Sequence, residues 1–149
     1  MTWKPHVTVA AIAVQQDRFL MVEEQIDQKM VLNQPAGHLE DNETLIEAVI
    51  RETLEETAWS FDPSYISGLY QWKQPENGRV FLRFCFYGHV IHHDAQRQLD
   101  PDIHQALWLT YDEIKTRNNQ LRSPMVLSCI EDYLNGKCFP LELIRNLEI

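Results

Sequence analysis

The chain has 149 residues, 44% of them hydrophobic and 23% charged, the proportions of one soluble domain rather than of a disordered or fibrous chain. The formal charge of −9 disfavours a nucleic-acid polymer as partner, because phosphate-backbone binding starts from a basic surface; a small anionic substrate is compatible if cations first neutralise an acidic site. Cys85, Cys129 and Cys138 are odd in number and lack CxxC or Cys/His spacing, so they read as reduced thiols.

The N-terminus, Met1 to His6, lacks a secretory n-region and h-region, and no apolar run reaches the roughly 18–20 residues that span a bilayer, so the expected location is the cytoplasm, away from membranes. A first strand is expected over Val7–Val14 and, after a Gln-Gln-Asp turn, a second over Phe19–Val22. Asn33 to His38 reads as a shaped loop, since Pro35 and Gly37 punctuate regular structure. Thr44, three residues before Glu47 and directly before Leu45-Ile46, is a capping box that opens a helix over 45–57. At about 100° per residue, Leu45, Ile46, Val49, Ile50 and Thr53 form its apolar face, with Glu52, Glu55 and Glu56 beside it.

Strands are expected over Tyr65–Trp72 and Val80–Val90, joined by a hairpin built on Pro75-Glu76-Asn77-Gly78. The polar stretch His92–Gln105 reads as a long loop and Ala106–Leu109 as a last strand. A second capping box, Thr110 with Glu113, opens a short helix, and Ser123-Pro124 opens a third that ends near Gly136. With neither repeats nor linker, the whole of 1–149 is expected to fold as one α+β sandwich, helices flanking a mixed sheet.

The chemistry is carried by the spacing of Gly37, Glu43, Arg51, Glu52, Glu55 and Glu56: five residues separate the first pair and seven separate Glu43 from Arg51. If each position matched by accident about once in fifteen, the whole pattern would arise by chance in a chain this long with a frequency of about 10⁻⁵. Glu52, Glu55 and Glu56 stand three and four residues apart and can converge on one helical face. Like charges so placed repel, and hard carboxylate oxygens suit Mg²⁺, or Mn²⁺, as the compensating cation. Such an ion bridges diphosphate oxygens and acidifies an attacking water. Arg51, four residues from both Glu47 and Glu55, is placed to orient a carboxylate.

This pattern resembles the box of the Nudix hydrolases. Asn33-Gln34-Pro35-Ala36-Gly37-His38-Leu39-Glu40, Leu121-Arg122-Ser123-Pro124 and Pro140-Leu141-Glu142 are similar to the NudJ-type phosphatase branch of that family. The resemblance implies a Nudix-type α/β/α sandwich and Gly37, Glu52, Glu55 and Glu56 as metal ligands, the glycine through its carbonyl. It also implies Glu52, Arg51 and Glu43 as the catalytic group and hydrolysis of nucleoside di- and triphosphates, extending to thiamine diphosphate or its pyrimidine diphosphate precursor. The partner expected is a small phosphorylated metabolite. The general base is either Glu52 or an acidic residue of the long loop. A non-catalytic, nucleotide-binding sensor of the same fold is the alternative, although such a domain would normally have lost box carboxylates. Two positions depart from the box: Thr53 replaces an aliphatic residue, and Ala58 stands where a helix-ending glycine is usual.

Outside the box, Trp72 either stacks on a base or packs the hairpin, alongside Tyr70 and Phe81, and Arg83 makes either a phosphate contact or a structural ion pair. Asp100, Asp102 and His104 are read as a solvated loop, and His38 as an exposed loop histidine outside the catalytic set.

Overall fold

The computed structural model describes residues 2–149. Strand β1 (His6–Gln15) turns at Gln16 and Asp17, both left-handed with φ of 50° and 62°, into β2 (Arg18–Ile26). This is the two-residue hairpin geometry that matches strand twist. A second left-handed pair, Asp27 and Gln28, leads into β3 (Lys29–Asn33), which the sequence reading did not anticipate. Nor is the segment 33–38 simply a loop: β4 (Ala36–His38) pairs antiparallel with Thr8–Ala10 of β1. Pro35 lacks an N–H, but its carbonyl still accepts from Ala11 N at 2.9 Å, so the proline marks a bend between two strands rather than the end of pairing.

Helix α1 (Leu45–Thr57) has the expected bounds. Thr44 accepts from Glu47 N, and the Glu47 carboxylate accepts from Thr44 N, which satisfies two amides of the first turn. At the other end Ala58 is left-handed, φ 64°, and its N–H closes on Leu54 O, the conformation in which a Cβ is disfavoured. Thr53 is fully buried; its hydroxyl donates to Val49 O at 2.7 Å, which frees its methyl for the core.

Strand β5 (Trp59–Lys73) begins six residues before Tyr65, because three bulges, one beside Pro63, interrupt the alternation that marks a strand in sequence. It pairs antiparallel with β6 (Val80–His93), and β7 (Ile103–Thr110) follows, so the expected long loop contracts to residues 94–102. The short helix α2 (Tyr111–Thr116) carries the second capping box. Before α3 (Met125–Leu134), Ser123 Oγ accepts from Met125 N at 3.2 Å.

The strand order is β3-β2-β1-β6-β5, with β4 added to β1 and β7 to β2; β1 and β6 run parallel over His6–Ala13 and Phe81–Gly88. The sheet is therefore mixed. Its centre, β1, is buried on both faces. Val9, Ala11 and Ala13 pack with Ala48 and Val49 of α1, while Ala10 and Ile12 pack with Val126, Cys129 and Ile130 of α3. Helices thus cover opposite faces of one sheet, an α+β sandwich. No helix among the described residues is long and apolar enough to cross a membrane. Cys85 and Cys129 are buried in the core and Cys138 is exposed, all as free thiols.

Candidate active site

Helix α1 places Arg51, Glu52, Glu55 and Glu56 toward β4 and the 94–102 loop. Arg51 is the hub. Its Nε and Nη2 grip the two oxygens of Glu43 at 2.6 and 3.0 Å, and its Nη1 donates to Glu52 Oε1 and Glu55 Oε1, both at 2.8 Å. Nη2 also donates to His38 O at 3.0 Å, and Glu40 approaches Nη1 to 3.5 Å. Glu43 in turn accepts from Glu40 N, so the loop before α1 is fastened to the helix through one guanidinium. Hydrogen bonds from Arg51 hold the Glu43 carboxyl below its ordinary range, and the same bonds hold Arg51 more firmly protonated.

Carboxylates with less compensation behave in the opposite way. Burial pushes Glu52 up to about 7, against the pull of Arg51 and with added repulsion from Glu55 and Asp100. Glu56, 6% exposed, is pushed well above the carboxylate range by burial and then by Glu24, although its Oε1 accepts from Ala36 N at 2.9 Å. Burial likewise raises Glu24, which Arg122 and Asn33 partly restrain, and Asp100, where Glu55 adds to the effect.

Glu52, Glu55 and Asp100 each present a carboxylate oxygen, and these oxygens lie within 4.8 Å of one another. Arg51 engages only the Oε1 atoms of the two glutamates; among the described residues no hydrogen bond reaches either Oε2. Three carboxylate oxygen donors with free lone pairs form a set suited to a hard divalent cation. Asp100, read from sequence as part of a solvated loop, joins this group because its N–H bonds Glu55 O at 3.1 Å and anchors the loop to α1. Glu56 faces an adjoining cavity of about 200 Å³, lined also by Glu24, Asp100, Asp102 and Arg122. His104 lies beyond this loop on β7 and is exposed.

Gly37 lies on β4, directly against Glu52: a Cβ built on it would overlap the Glu52 carboxylate. Any side chain at this position would displace the Glu52 carboxylate, and its backbone lies beside the acidic group.

A second cavity, of about 190 Å³, opens beyond Gly37 and His38. Trp72 forms one wall and stacks on Phe81, ring centroids 5.7 Å apart. His38 is exposed, as expected, but at the end of β4, and its Nε2 lies 3.1 Å from His6 Nδ1; partial desolvation and then His6 lower its pKa. Arg83, 4% exposed, forms part of the lining, with Nη1 donating to Gln34 Oε1 at 2.9 Å and Nη2 to Asn33 Oδ1 at 3.2 Å. Its Nε is buried without a partner, and among the described residues it forms no ion pair. Gln34 and Arg122 lie in segments that carry the family resemblance, but no local spacing singles out either of them or Glu24.

Residues 4–129 match the NUDIX domain family. The chain is 43% identical over 142 residues to phosphatase NudJ of Escherichia coli K12, covering 95% of this chain and 92% of that protein, and equally to phosphatase NudJ of Shigella flexneri. Among solved structures, a NUDIX hydrolase from Nitrosomonas europaea superposes with a TM-score of 0.95 at 46% identity, over 97% of this chain and 98% of that one. A MutT NUDIX hydrolase from Burkholderia pseudomallei, at 20% identity and a TM-score of 0.73, covers 87% of this chain and 98% of its own and shares the fold. The fold is the Nudix α/β/α sandwich with a mixed sheet, and the chain belongs to the Nudix family as a hydrolase acting on phosphorus anhydrides.

Proposed function

We propose that the chain hydrolyses the diphosphate linkage of a small metabolite, with Mg²⁺ held by Glu52, Glu55, Glu56 and the Gly37 carbonyl, and with Mn²⁺ as a competent substitute. The observation that carries this reading is the convergence of Glu52, Glu55 and Asp100, with oxygens left free by Arg51, beside a cleft with an aromatic wall. Asp100 extends the ligand set expected from the box. When bound, the ion neutralises diphosphate charge and lowers the pKa of the attacking water.

The protein's own residues supply orientation and proton transfer. Arg51 fixes the Glu52 and Glu55 carboxylates through paired hydrogen bonds, and Glu43 fixes Arg51 in turn. Glu52, fixed by Arg51 through Oε1 with Oε2 free of hydrogen bonds, is placed to accept the proton of the attacking water, and Asp100 is the acidic loop residue able to take that role instead. Trp72 offers a flat face to an aromatic ring, and Arg83, at the base of the same cavity, retains an Nη2 proton beyond the one given to Asn33. Substrates of this form are nucleoside di- and triphosphates, and thiamine diphosphate or its pyrimidine diphosphate precursor. The setting proposed is the cytoplasm.

The decisive experiment is a panel of these compounds assayed with Mg²⁺, with orthophosphate and pyrophosphate detected separately. Metal-dependent release from at least one member is expected. Binding without release from any member would overturn the reading and favour a sensor.

A further inference from the structure

The cavity beside Glu56 and the cavity beside Trp72 share two lining residues, Glu24 and Arg122, and an outer cavity of about 530 Å³ beyond Trp72 also includes Arg122. The three are segments of one groove, and Arg122 lines all of it. On one side stand Glu56, Asp100 and Asp102; on the other, Trp72 and Phe81. A substrate whose diphosphate lies at the carboxylates and whose ring lies at Trp72 must pass this guanidinium.

The backbone of Arg122 is fixed while its side chain is largely free. Its N–H donates to Leu32 O at 2.9 Å, Leu121 bridges Leu32, and Ser123 caps the start of α3. The side chain is 42% exposed and makes one hydrogen bond among the described residues, Nη1 to Glu24 Oε2 at 3.0 Å. A guanidinium carries five N–H donors in a planar fork that matches adjacent phosphate oxygens. Arg51 cannot serve in this way, because all five of its donors are taken by Glu43, Glu52, Glu55 and the His38 carbonyl, and Arg83 offers one remaining Nη2 proton rather than an open fork.

Building on the diphosphate-hydrolase reading above, we infer that Arg122 binds the phosphate proximal to the organic group, with Glu24 holding the guanidinium at the junction until substrate arrives. Arg122 is thus a specificity-determining residue: it separates phosphorylated ligands from bare nucleosides and places the distal phosphate at the carboxylates.

The test measures binding of a methylene-bridged nucleoside diphosphate, which cannot be cleaved, by calorimetry with Ca²⁺, for wild type, Arg122→Ala and Arg122→Lys. Arg122→Ala is expected to weaken binding by about 10-fold or more, as loss of a charge-assisted phosphate contact does, with Arg122→Lys recovering part of it. Affinity for the unphosphorylated nucleoside should stay level, and in turnover the KM should rise more than kcat falls. Analogue affinity within about twofold of wild type in a folded Arg122→Ala protein would make the Glu24 pair merely structural and overturn the proposal. So would an equal loss for the bare nucleoside. If Arg122→Ala fails to fold, Arg122→Lys decides alone, since it keeps the charge and loses the fork. A wild type that releases phosphate while its Arg122 variants bind normally would sink only this inference; a wild type that neither binds nor cleaves any diphosphate would sink the hydrolase reading beneath it.

Discussion

Two arginines of this protein occupy opposite surroundings. Arg51 sits among Glu40, Glu43, Glu52 and Glu55, whereas Arg83 is enclosed by Gln34, Asn33 and the Cys129 sulfur, with no ion pair among the described residues. The first spends its charge inside the protein. It holds Glu43 ionised and aims two further carboxylates, so that its effect on an anionic substrate is indirect. The second donates to neutral oxygens, which orient a guanidinium without neutralising it. A cation so placed at the base of a cleft remains a source of attraction for anions entering from solvent. Identical side chains thus do different work according to whether their acceptors carry charge.

The largest effect expected tests the acidic end of this contrast. Glu56→Gln should lower turnover by about 100-fold or more, because an amide keeps the shape but loses the charge that binds a divalent ion. In the metal-free protein the same change should raise the unfolding midpoint slightly, since Glu56 is buried beside Glu24 and its ionised form is disfavoured. Phosphate release at saturating Mg²⁺ and metal-free thermal unfolding check the two halves; activity retained within about threefold would remove Glu56 from the metal site.

Substituting lysine at each arginine sharpens the comparison, because charge is kept and the fork is lost. Arg51→Lys should weaken Mg²⁺ affinity by about 10- to 100-fold, the usual cost of removing a partner that orients metal ligands. Arg83→Lys should leave Mg²⁺ affinity unchanged and raise the KM for substrate by up to about 10-fold, the scale of one charge-assisted contact. Calorimetric Mg²⁺ titration beside steady-state kinetics separates them, and equal loss of metal affinity in both variants would dissolve the distinction.

The pH dependence of metal-free stability follows from the same surroundings. Glu52 is raised from 4.5 to about 7 and Glu56 is raised further, so each binds its proton more tightly folded than unfolded. Their contribution is fully present below about pH 4.5, and that of Glu52 is lost as pH rises through about 7. Glu43, lowered by Arg51, contributes stability present above pH 4.5 and lost on acidification below it. The unfolding midpoint in EDTA should therefore fall between pH 5 and pH 8, and Mg²⁺ should restore more of it at the higher pH, where its ligands are deprotonated. A midpoint that is flat or rises across this range, in protein shown free of metal, would contradict the raised values.

The smallest effect concerns the end of α1. Ala58→Gly should stabilise by up to about 1 kcal/mol, because residue 58 is left-handed and glycine takes that conformation without the Cβ penalty. A lower thermal midpoint for the glycine variant would show that the buried methyl of Ala58 outweighs its backbone strain.

What the sequence reveals of this molecule divides along the same line as local and distant structure. Helix α1, both capping boxes and the departure at Ala58 depend on residues within a few positions of one another, and the patterns that predict them act over that distance. Strand β4 escapes because Pro35 and Gly37 signal a break, whereas the pairing that defines it comes from β1, nearly thirty residues earlier. The bulges of β5 hide six of its residues by disturbing alternation. At the site, the acidic face of one helix is readable from spacing alone. Asp100, Glu24 and Arg122 are not, since a turn of backbone after β6, a strand and the approach to α3 bring them in from three separate segments with no periodic relation to the box.

The contact between Gly37 and Glu52 has a consequence for how such a chain can drift. Glycine is fixed at position 37 by the volume of a neighbour's carboxylate, not by a left-handed backbone, and that neighbour lies on another element. The two positions therefore form a single mutational unit: the smallest enlargement at 37 displaces the carboxylate at 52, while shortening the side chain at 52 is the change that would make room. A lineage that abandoned the chemistry could lose the acid first and the glycine after it, whereas one that keeps the carboxylate in its present place keeps the glycine beside it.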